Sequence, residues 1–300
     1  MFKHLLVPLD GTPLAETAVS VAAILAEKTE AKVTLLHVIE SQAPARVHGL
    51  RHLTGAEEAQ EYLKDLARRS FPAGVTVEWH VHLTGIKDVA RSLAEHVEEF
   101  KPDLLLMCAH GEDRFRNMLF GNLAQQTLSL GRTTVLMLRS SRIEEKLFQK
   151  LVVPLDGDAE HEQGLLAAAS LAAICGSLVQ LLFVVPTPGA LKGQEAAAGS
   201  LLPSAARAVL DIQAEEAVNY LKRKVQQLKE QEIEVQATLS RGDPVEEISN
   251  IAAGREADLV VLATHGKAGT RAFWSASVAS KLISRMKISF LLVPARPLQD

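Results

Sequence analysis

Two stretches of the sequence have small residues at the end of a predicted strand, where an anion could bind. The first is Cys108-Ala109-His110-Gly111 and the second is Ala263-Thr264-His265-Gly266. Small residues let backbone N–H groups approach a phosphate, and a helix that begins next turns its N-terminus toward the same place. Nine residues after each glycine, the sequence continues with Gly121-Asn122 and with Ala276-Ser277. An amide or hydroxyl there could add a hydrogen bond to a phosphate.

A carboxylate follows an earlier apolar run in the same two halves of the chain. Val7-Pro8-Leu9-Asp10-Gly11 recurs letter for letter as Val153-Pro154-Leu155-Asp156-Gly157. Asp10 and Asp156 could accept hydrogen bonds from a ribose hydroxyl or hold a metal ion. Capping of the following helix by the aspartate is an equally open role.

These matches belong to a repeat that spans the chain. Leu35-Leu36-His37-Val38 and Leu181-Leu182-Phe183-Val184 share the 146-residue offset of the two aspartates, whereas Asp103 and Asp258 are 155 residues apart. Such a period is too long for a solenoid and indicates a duplicated domain. We predict domains at residues 1–140 and 150–297, joined by a short charged linker. The nine extra residues must enter between the second and fourth strands of the second copy.

Each copy alternates strands with helices. In the first copy, the pattern predicts strands at 4–9, 33–39, 75–83, 104–109 and 135–138, and helices at 13–30, 56–69, 86–100 and 119–130. Thr12 is the expected cap of the first helix, with Pro13 in its first turn. The second copy repeats this order with a longer helix at 205–231, preceded by a loop at 186–203 that crosses one face of the sheet. Near-continuous aliphatic strands and this alternation predict an α/β fold with a doubly wound parallel sheet.

Composition excludes several classes of function. Of 300 residues, 32 are Lys or Arg and 36 are Asp or Glu, a net charge of -4 that argues against non-specific nucleic-acid binding. The two cysteines make a disulfide framework unexpected, and no apolar run is long enough for a membrane span. We therefore expect a cytoplasmic protein with neither a nucleic-acid nor a membrane partner.

Several reactive side chains have ordinary explanations. His80 and His82 share one strand face as two metal ligands would, but no third ligand is identifiable, so a surface strand is favoured. His110 and His265 are expected to orient their loops rather than to catalyse, and Cys108 is expected to be a buried small hydrophobe rather than a redox thiol. The sequence lacks G-x-S-x-G, P-loop and H-E-x-x-H patterns, so we assign no catalytic or metal-ligating residue.

On these motifs, the two copies resemble tandem universal stress protein domains over nearly the whole chain. The family's strand-one ending Val-Pro-x-Asp-Gly is present twice. Its ATP-binding members carry Gly, two residues, Gly, nine residues, then Gly followed by Ser or Thr, a signature that both copies meet only in part. The resemblance implies two Rossmann-like domains, each with a five-stranded parallel sheet in the order 3-2-1-4-5 and with ATP between strands one and four. It also implies a stress-response role in which ATP, with or without Mg²⁺ or Mn²⁺, is a regulatory ligand hydrolysed slowly at most.

The departures from the signature favour the second copy as the ATP site. Lys267 and Arg271 would attract polyphosphate there, whereas Glu112 and Asp113 would repel it in the first copy. By position, Asp10 and Asp156 would face ribose or adenine. Val38 and Val184 would offer backbone contacts to adenine. The residues assigned to nucleotide are Asp156, Val184, Ala263, His265, Gly266, Lys267, Ala276 and Ser277 in the second copy, and Asp10, Val38, Gly111, Gly121 and Asn122 in the first.

One alternative function stays open, and partners are predicted only in outline. With both loops degenerate, the chain would be a scaffold or a small-molecule-binding stress protein without nucleotide. An unidentified protein partner is expected to read the nucleotide state. The resemblance makes the edge strands 135–138 and 290–293 candidate interfaces, so the two copies are expected to pair within one chain, with a homodimer as the other option.

Overall fold

The computed structural model describes residues 2–41, 46–47, 50–51, 53–108, 124, 126–128, 133–139, 147–191, 193–264 and 278–295. The chain divides into two compact units. The first contains Met1–Leu147, Thr264–Ala268 and Ser289–Pro294, and the second contains Phe148–Ala263, Gly269–Ile288 and Ala295–Asp300. In the described part of the chain, no helix is both long enough and apolar enough to cross a membrane.

In the parts of both units that the structure describes, strands are followed by helices as the sequence pattern predicts, while most of the predicted helix at 119–130 lies outside the described residues. The strands are β1 (His4–Pro8), β2 (Lys32–Glu40), β3 (Arg46–Val47), β4 (Leu50–Arg51), β5 (Val77–Ile86), β6 (Leu104–Cys108), β7 (Thr134–Leu138), β8 (Lys150–Leu155), β9 (Leu178–Val185), β10 (Val235–Arg241), β11 (Leu259–Thr264) and β12 (Ser289–Pro294). The helices are α1 (Glu16–Thr29), α2 (Ala56–Ser70), α3 (Val89–Phe100), α4 (Glu162–Cys175), α5 (Gly193–Leu201), α6 (Pro203–Lys229), α7 (Pro244–Gly254) and α8 (Val278–Arg285).

The sheet of the first unit confirms the predicted strand order. Its parallel strands run β5-β2-β1-β6-β7, which is the order 3-2-1-4-5 once the short hairpin of β3 and β4 is set aside. Every residue of β6 and of β7 is buried, as expected for strands covered on both faces. The strand β12 also belongs to this unit, where it pairs antiparallel with β7 through Phe290 and Met137. The two predicted edge strands therefore pair with each other.

The second unit repeats the arrangement with its own four strands. They are parallel and run β10-β9-β8-β11, the order 3-2-1-4. In both units the strand order therefore reverses between the first and fourth strands. In open sheets of this kind, ligands bind beyond the carboxyl ends of the strands at that reversal. The structure thus has the mixed α/β, Rossmann-like architecture expected from the sequence.

The prediction that Thr12 caps the first helix is wrong, because the N-cap of α1 is Ala15 and Thr12 binds one turn earlier. The hydroxyl oxygen of Thr12 accepts a hydrogen bond from the backbone N–H of Ala15 at 3.2 Å. Residues 13–15 form a turn, and α1 begins at Glu16 rather than at Pro13. Thr12 therefore stabilises the turn that leads into the helix.

The predicted loop at 186–203 is wrong in its main feature, because it contains the helix α5. Three consecutive alanines, Ala196 to Ala198, favour helix strongly enough to outweigh Gly199. Gly193 begins the helix with a φ of +59°, a backbone conformation that glycine adopts without strain. The next helix, α6, begins already at Pro203, since proline is tolerated in the first helical turn.

An aspartate in each unit ties the fourth strand to the start of the first. The Oδ2 atom of Asp103 accepts hydrogen bonds from the backbone N–H groups of Lys3 at 2.7 Å and of His4 at 2.9 Å. Asp258 repeats the contact, accepting from Gln149 at 2.7 Å and from Lys150 at 3.2 Å. These bonds satisfy amides at the strand ends and fix the register of β1 with β6 and of β8 with β11.

We expect Asp103→Ala and Asp258→Ala each to lower the free energy of unfolding by about 1–2 kcal/mol, because each leaves two strand-end amides without their carboxylate. Urea denaturation followed by circular dichroism measures the loss. Glu98→Ala is the control, since Glu98 is an exposed helical carboxylate and should change stability by less than about 0.5 kcal/mol. Equal effects of all three substitutions would contradict the role given to the aspartates.

Candidate functional site

A cavity of about 1030 Å³ opens in the second unit at the carboxyl ends of β8 and β9. Asp156 and Gly157, which follow β8, form part of its lining, together with Phe183, Val184 and further residues from the end of β9 onward. The helices α5 and α6 supply the remaining wall. The cavity therefore contains the end of the first strand, where this type of sheet places its ligands.

The Asp156 carboxylate is held in place and remains accessible. Its Oδ1 accepts a hydrogen bond from the Asp158 backbone N–H at 3.0 Å, and its Oδ2 lies 2.6 Å from Nδ1 of His161. More than half of the side chain, 57 %, is exposed. A carboxylate has about four acceptor positions, so Asp156 can still accept hydrogen bonds from a ligand.

Aromatic and cationic side chains surround the same end of the cavity. The rings of Phe183 and Tyr220 meet edge to face with their centroids 6.1 Å apart. Arg223 places its guanidinium carbon 5.9 Å, and Lys224 its ammonium nitrogen 5.3 Å, from the centre of the Tyr220 ring. These rings offer flat apolar surface beside charged groups, a combination suited to a ligand with both characters.

A tyrosine–glutamate–cation cluster stands beside the aspartate in both units. In the second unit the Tyr220 hydroxyl donates to Glu162 Oε1 at 3.1 Å, and Lys224 pairs with the same oxygen at 2.6 Å. The first unit repeats this cluster. There Tyr62 donates to Glu16 at 3.1 Å, and Arg69 binds the other Glu16 oxygen at 2.7 Å.

This cluster is not among the features predicted from the sequence, although two signals for it are present there. Glu16 and Glu162 share the 146-residue offset of the aspartates, and the chain contains only two tyrosines. Both hydroxyls are held as neutral donors. Burial, followed by the charge of Glu162 and its hydrogen bond, raises the pKa of Tyr220 well above the ordinary value of 10.0. Burial and Glu16 raise the pKa of Tyr62 in the same way.

At the equivalent position of the first unit, a leucine packs over the glycine. Asp10 Oδ1 accepts from the backbone N–H of Thr12 at 3.0 Å and from its hydroxyl at 2.6 Å. Leu53, itself buried, fills the space over Gly11, since its Cγ lies 2.6 Å from the point that a β-carbon on that glycine would occupy. In the second unit, a β-carbon on Gly157 would be 3.6 Å from its nearest neighbour, the edge of the Phe183 ring. Val38 is only 5 % exposed, whereas Val184 is half-buried and lines the cavity.

The structure brings together some of the residues assigned to nucleotide from the sequence. Asp156 and Val184 line one cavity, while Asp10 and Val38 occupy the corresponding strand ends of the first unit. Ala263 lies near the end of β11, and α4 approaches it closely at Gly164. A β-carbon on Gly164 would be 3.2 Å from the Ala263 nitrogen. The remaining assignments lie outside the described residues: His265, Gly266, Lys267, Ala276, Ser277, Gly111, Gly121 and Asn122.

The histidine pair on β5 has a third histidine beside it. The buried His96 ring lies 5.1 Å, centroid to centroid, from both His80 and His82, and its Nδ1 is 2.7 Å from the Ser92 carbonyl oxygen. Burial and His96 lower the pKa of His80. Within the described residues, no group of three or more His, Cys, Asp or Glu side chains is arranged to hold a metal ion. Cys108 is buried, as predicted for a small hydrophobe.

A model of one protein family matches the chain twice, over residues 1–139 and 147–294. The chain belongs to the universal stress protein family. Among curated proteins, a universal stress protein of Methanocaldococcus jannaschii is 25% identical over 151 residues, which cover 48% of this chain and 86% of that protein.

Two solved structures of universal stress proteins share the fold over nearly the whole chain. One from Archaeoglobus fulgidus has a TM-score of 0.65 at 16% identity and covers 97% of this chain and 96% of its own. A structure from Pseudomonas aeruginosa has a TM-score of 0.69 at 12% identity and covers 97% and 93%. A universal stress protein in complex with cAMP matches 46% of this chain and 97% of its own at 19% identity, with a TM-score of 0.33.

The two tyrosines of this universal stress protein predict a pH dependence. A tyrosine whose pKa is raised by folding stabilises the protein below pH 10.0, the unfolded value, and this stabilisation is lost as the pH rises above it. We expect the free energy of unfolding to fall above pH 10.0, and to fall less steeply in the Tyr62→Phe/Tyr220→Phe variant. Urea denaturation of both proteins on either side of that pH measures the difference. Parallel pH profiles would contradict the assignment.

Proposed function

We propose that the second domain binds an adenine nucleotide, ATP in the first instance, as a regulatory ligand in a stress response. One observation carries the proposal: Asp156 and Val184, the positions that the family resemblance assigns to ribose and adenine, line the same cavity at the carboxyl ends of adjacent strands. The first domain differs at this position, because Leu53 covers Gly11 beside Asp10.

The chemistry of the cavity suits the nucleoside part of such a ligand. Asp156 accepts hydrogen bonds from ribose hydroxyls, while the backbone of Val184 borders the adenine base. Phe183 and Tyr220 supply apolar ring surface next to that position. Nucleotide pockets combine an apolar lining with a few placed polar groups in this way.

On sequence grounds, we assign the phosphates to residues 265–277, which follow β11 in the chain. Gly266 and Ser277 keep two elements of the family signature, and Lys267 adds a positive charge. Glycine there allows close approach of the backbone, the hydroxyl donates to phosphate, and the cation offsets its charge. Mg²⁺ or Mn²⁺ would neutralise further phosphate charge when bound with ATP. The role is binding, and a conformation stabilised by the nucleotide is what a protein partner would read.

We expect Asp156→Ala to weaken ATP binding by about tenfold or more, because ribose hydroxyls lose a charged acceptor. Isothermal titration calorimetry with ATP and Mg²⁺ measures the affinity. Asp10→Ala is the matched control at the equivalent position of the first domain and should leave the affinity unchanged.

Two results would overturn the proposal. One is the absence of ATP binding to the unmodified chain, with no nucleotide released when the purified protein is denatured. The other is loss of binding in Asp10→Ala with full retention in Asp156→Ala, which would move the site to the first domain.

A further inference from the structure

The cavity of the second domain extends well beyond the aspartate. Its lining runs from Leu202, the residue before α6, along that helix to Arg223. At a rise of 1.5 Å per residue, the stretch from Ala205 to Arg223 alone is about 27 Å long. Asp156 lies at the Tyr220 end, since its charge contributes to the raised pKa of that tyrosine. A ligand that touches only Asp156 and Val184 leaves much of this length unused.

The polarity of the cavity changes along α6. Toward Arg223, the residues that line it include Gln213, Glu216 and Asn219. Toward the start of the helix the lining is apolar. We call this part the apolar arm, and it comprises Leu191, Ala198, Leu202, Ala206, Val209 and Leu210. One end of the cavity therefore suits hydrogen-bonding groups and the other suits hydrocarbon.

The apolar arm has a buried base and an exposed mouth. At the base, Leu210 belongs to a buried cluster with Val185, and Leu191 packs against that cluster. At the mouth, Leu202 is 65% exposed and Val209 54% exposed. Covering aliphatic surface of this kind is favourable because it removes apolar area from water. Ala206, four residues from both Leu202 and Leu210, lines the cavity with a small side chain.

The charges at the polar end select the head group of such a ligand. Asp156 and Glu216 contribute two carboxylates to the lining, and Arg223 contributes one cation. Lys224 lies close by, but its ammonium group pairs with Glu162. The lining therefore has a net negative charge and many acceptor atoms, so it favours a neutral head that donates hydrogen bonds over a carboxylate head.

We infer that the second domain binds a neutral amphiphile with a hydroxyl-bearing head and one aliphatic chain. The chain lies in the apolar arm, and the hydroxyls donate to Asp156 and Glu216. This inference goes beyond the nucleotide proposal and does not depend on it. Because both ligands use Asp156, they compete for the polar end, whereas only the amphiphile fills the apolar arm.

The probe for this inference is 1-lauroylglycerol, kept below its critical micelle concentration and titrated into the full chain by calorimetry. We expect one molecule to bind per chain. Laurate should bind about tenfold more weakly or worse because its carboxylate meets Asp156 and Glu216, and glycerol should show no binding because it lacks the chain. Laurate binding as tightly as 1-lauroylglycerol would overturn the choice of a neutral head, and failure of 1-lauroylglycerol to bind would overturn the inference.

Two matched pairs of variants locate the site. Val209→Asp puts a charge into the apolar arm and should weaken 1-lauroylglycerol binding by about tenfold, whereas Ile212→Asp, on the same helix and 56% exposed, should leave it unchanged. Ala206→Trp fills the arm and should abolish binding, whereas Ala208→Trp, at an exposed position outside the lining, should not. Circular dichroism and thermal unfolding establish that each variant is folded. Equal effects within both pairs would overturn the inference.

Parallel titrations with ATP separate this inference from the proposed function. ATP binding without 1-lauroylglycerol binding overturns the inference alone, and the reverse result overturns the nucleotide proposal alone. Sedimentation velocity tests whether a second copy of the chain occupies the apolar arm instead. A dimer that Val209→Asp dissociates and Ile212→Asp does not would assign the apolar arm to self-association and overturn the inference.

Discussion

Each domain depends on hydrogen bonds between a carboxylate at the start of the fourth strand and the first backbone amides of the first strand. Asp103 makes this contact in the first domain and Asp258 in the second. Because the strands are parallel, fixing their amino ends also fixes where their carboxyl ends stop. Asp10 and Asp156, which follow the first strands, are therefore positioned by hydrogen bonds made at the opposite, amino ends of the strands.

The two domains share this framework and differ in what covers the carboxyl edge. Leu53, which precedes α2, packs onto Gly11 in the first domain. In the second, α5 and the start of α6 occupy the corresponding stretch of sequence and border an open cavity beside Gly157. The residues that build the sheet are thus repeated in both domains, while the segment after the second strand differs in what it places over the glycine that follows strand one.

The alternation of strands and helices and the parallel sheet were predicted from the local pattern of residues. The strand order 3-2-1-4-5 and the placement of Asp156 and Val184 at one ligand site were instead implied by the resemblance to the family. The sequence prediction failed at α5, where Pro and Gly at the segment ends concealed the helix-forming alanines. It also missed Leu53 over Gly11 and the bond between Tyr220 and Glu162, whose partners are 42 and 58 residues apart. Contacts at such separations depend on tertiary packing, which a local pattern does not specify.

Tyr220 belongs at once to the cavity wall and to the anchorage of α4. Its ring borders the space that a ligand would fill, and its hydroxyl binds Glu162 in the first turn of the helix that follows strand one. A molecule that displaced the ring would also have to stretch or break that bond. Occupancy of the cavity and the position of α4 are therefore mechanically linked through a single side chain, and an event inside the domain has a direct route to a helix on its surface.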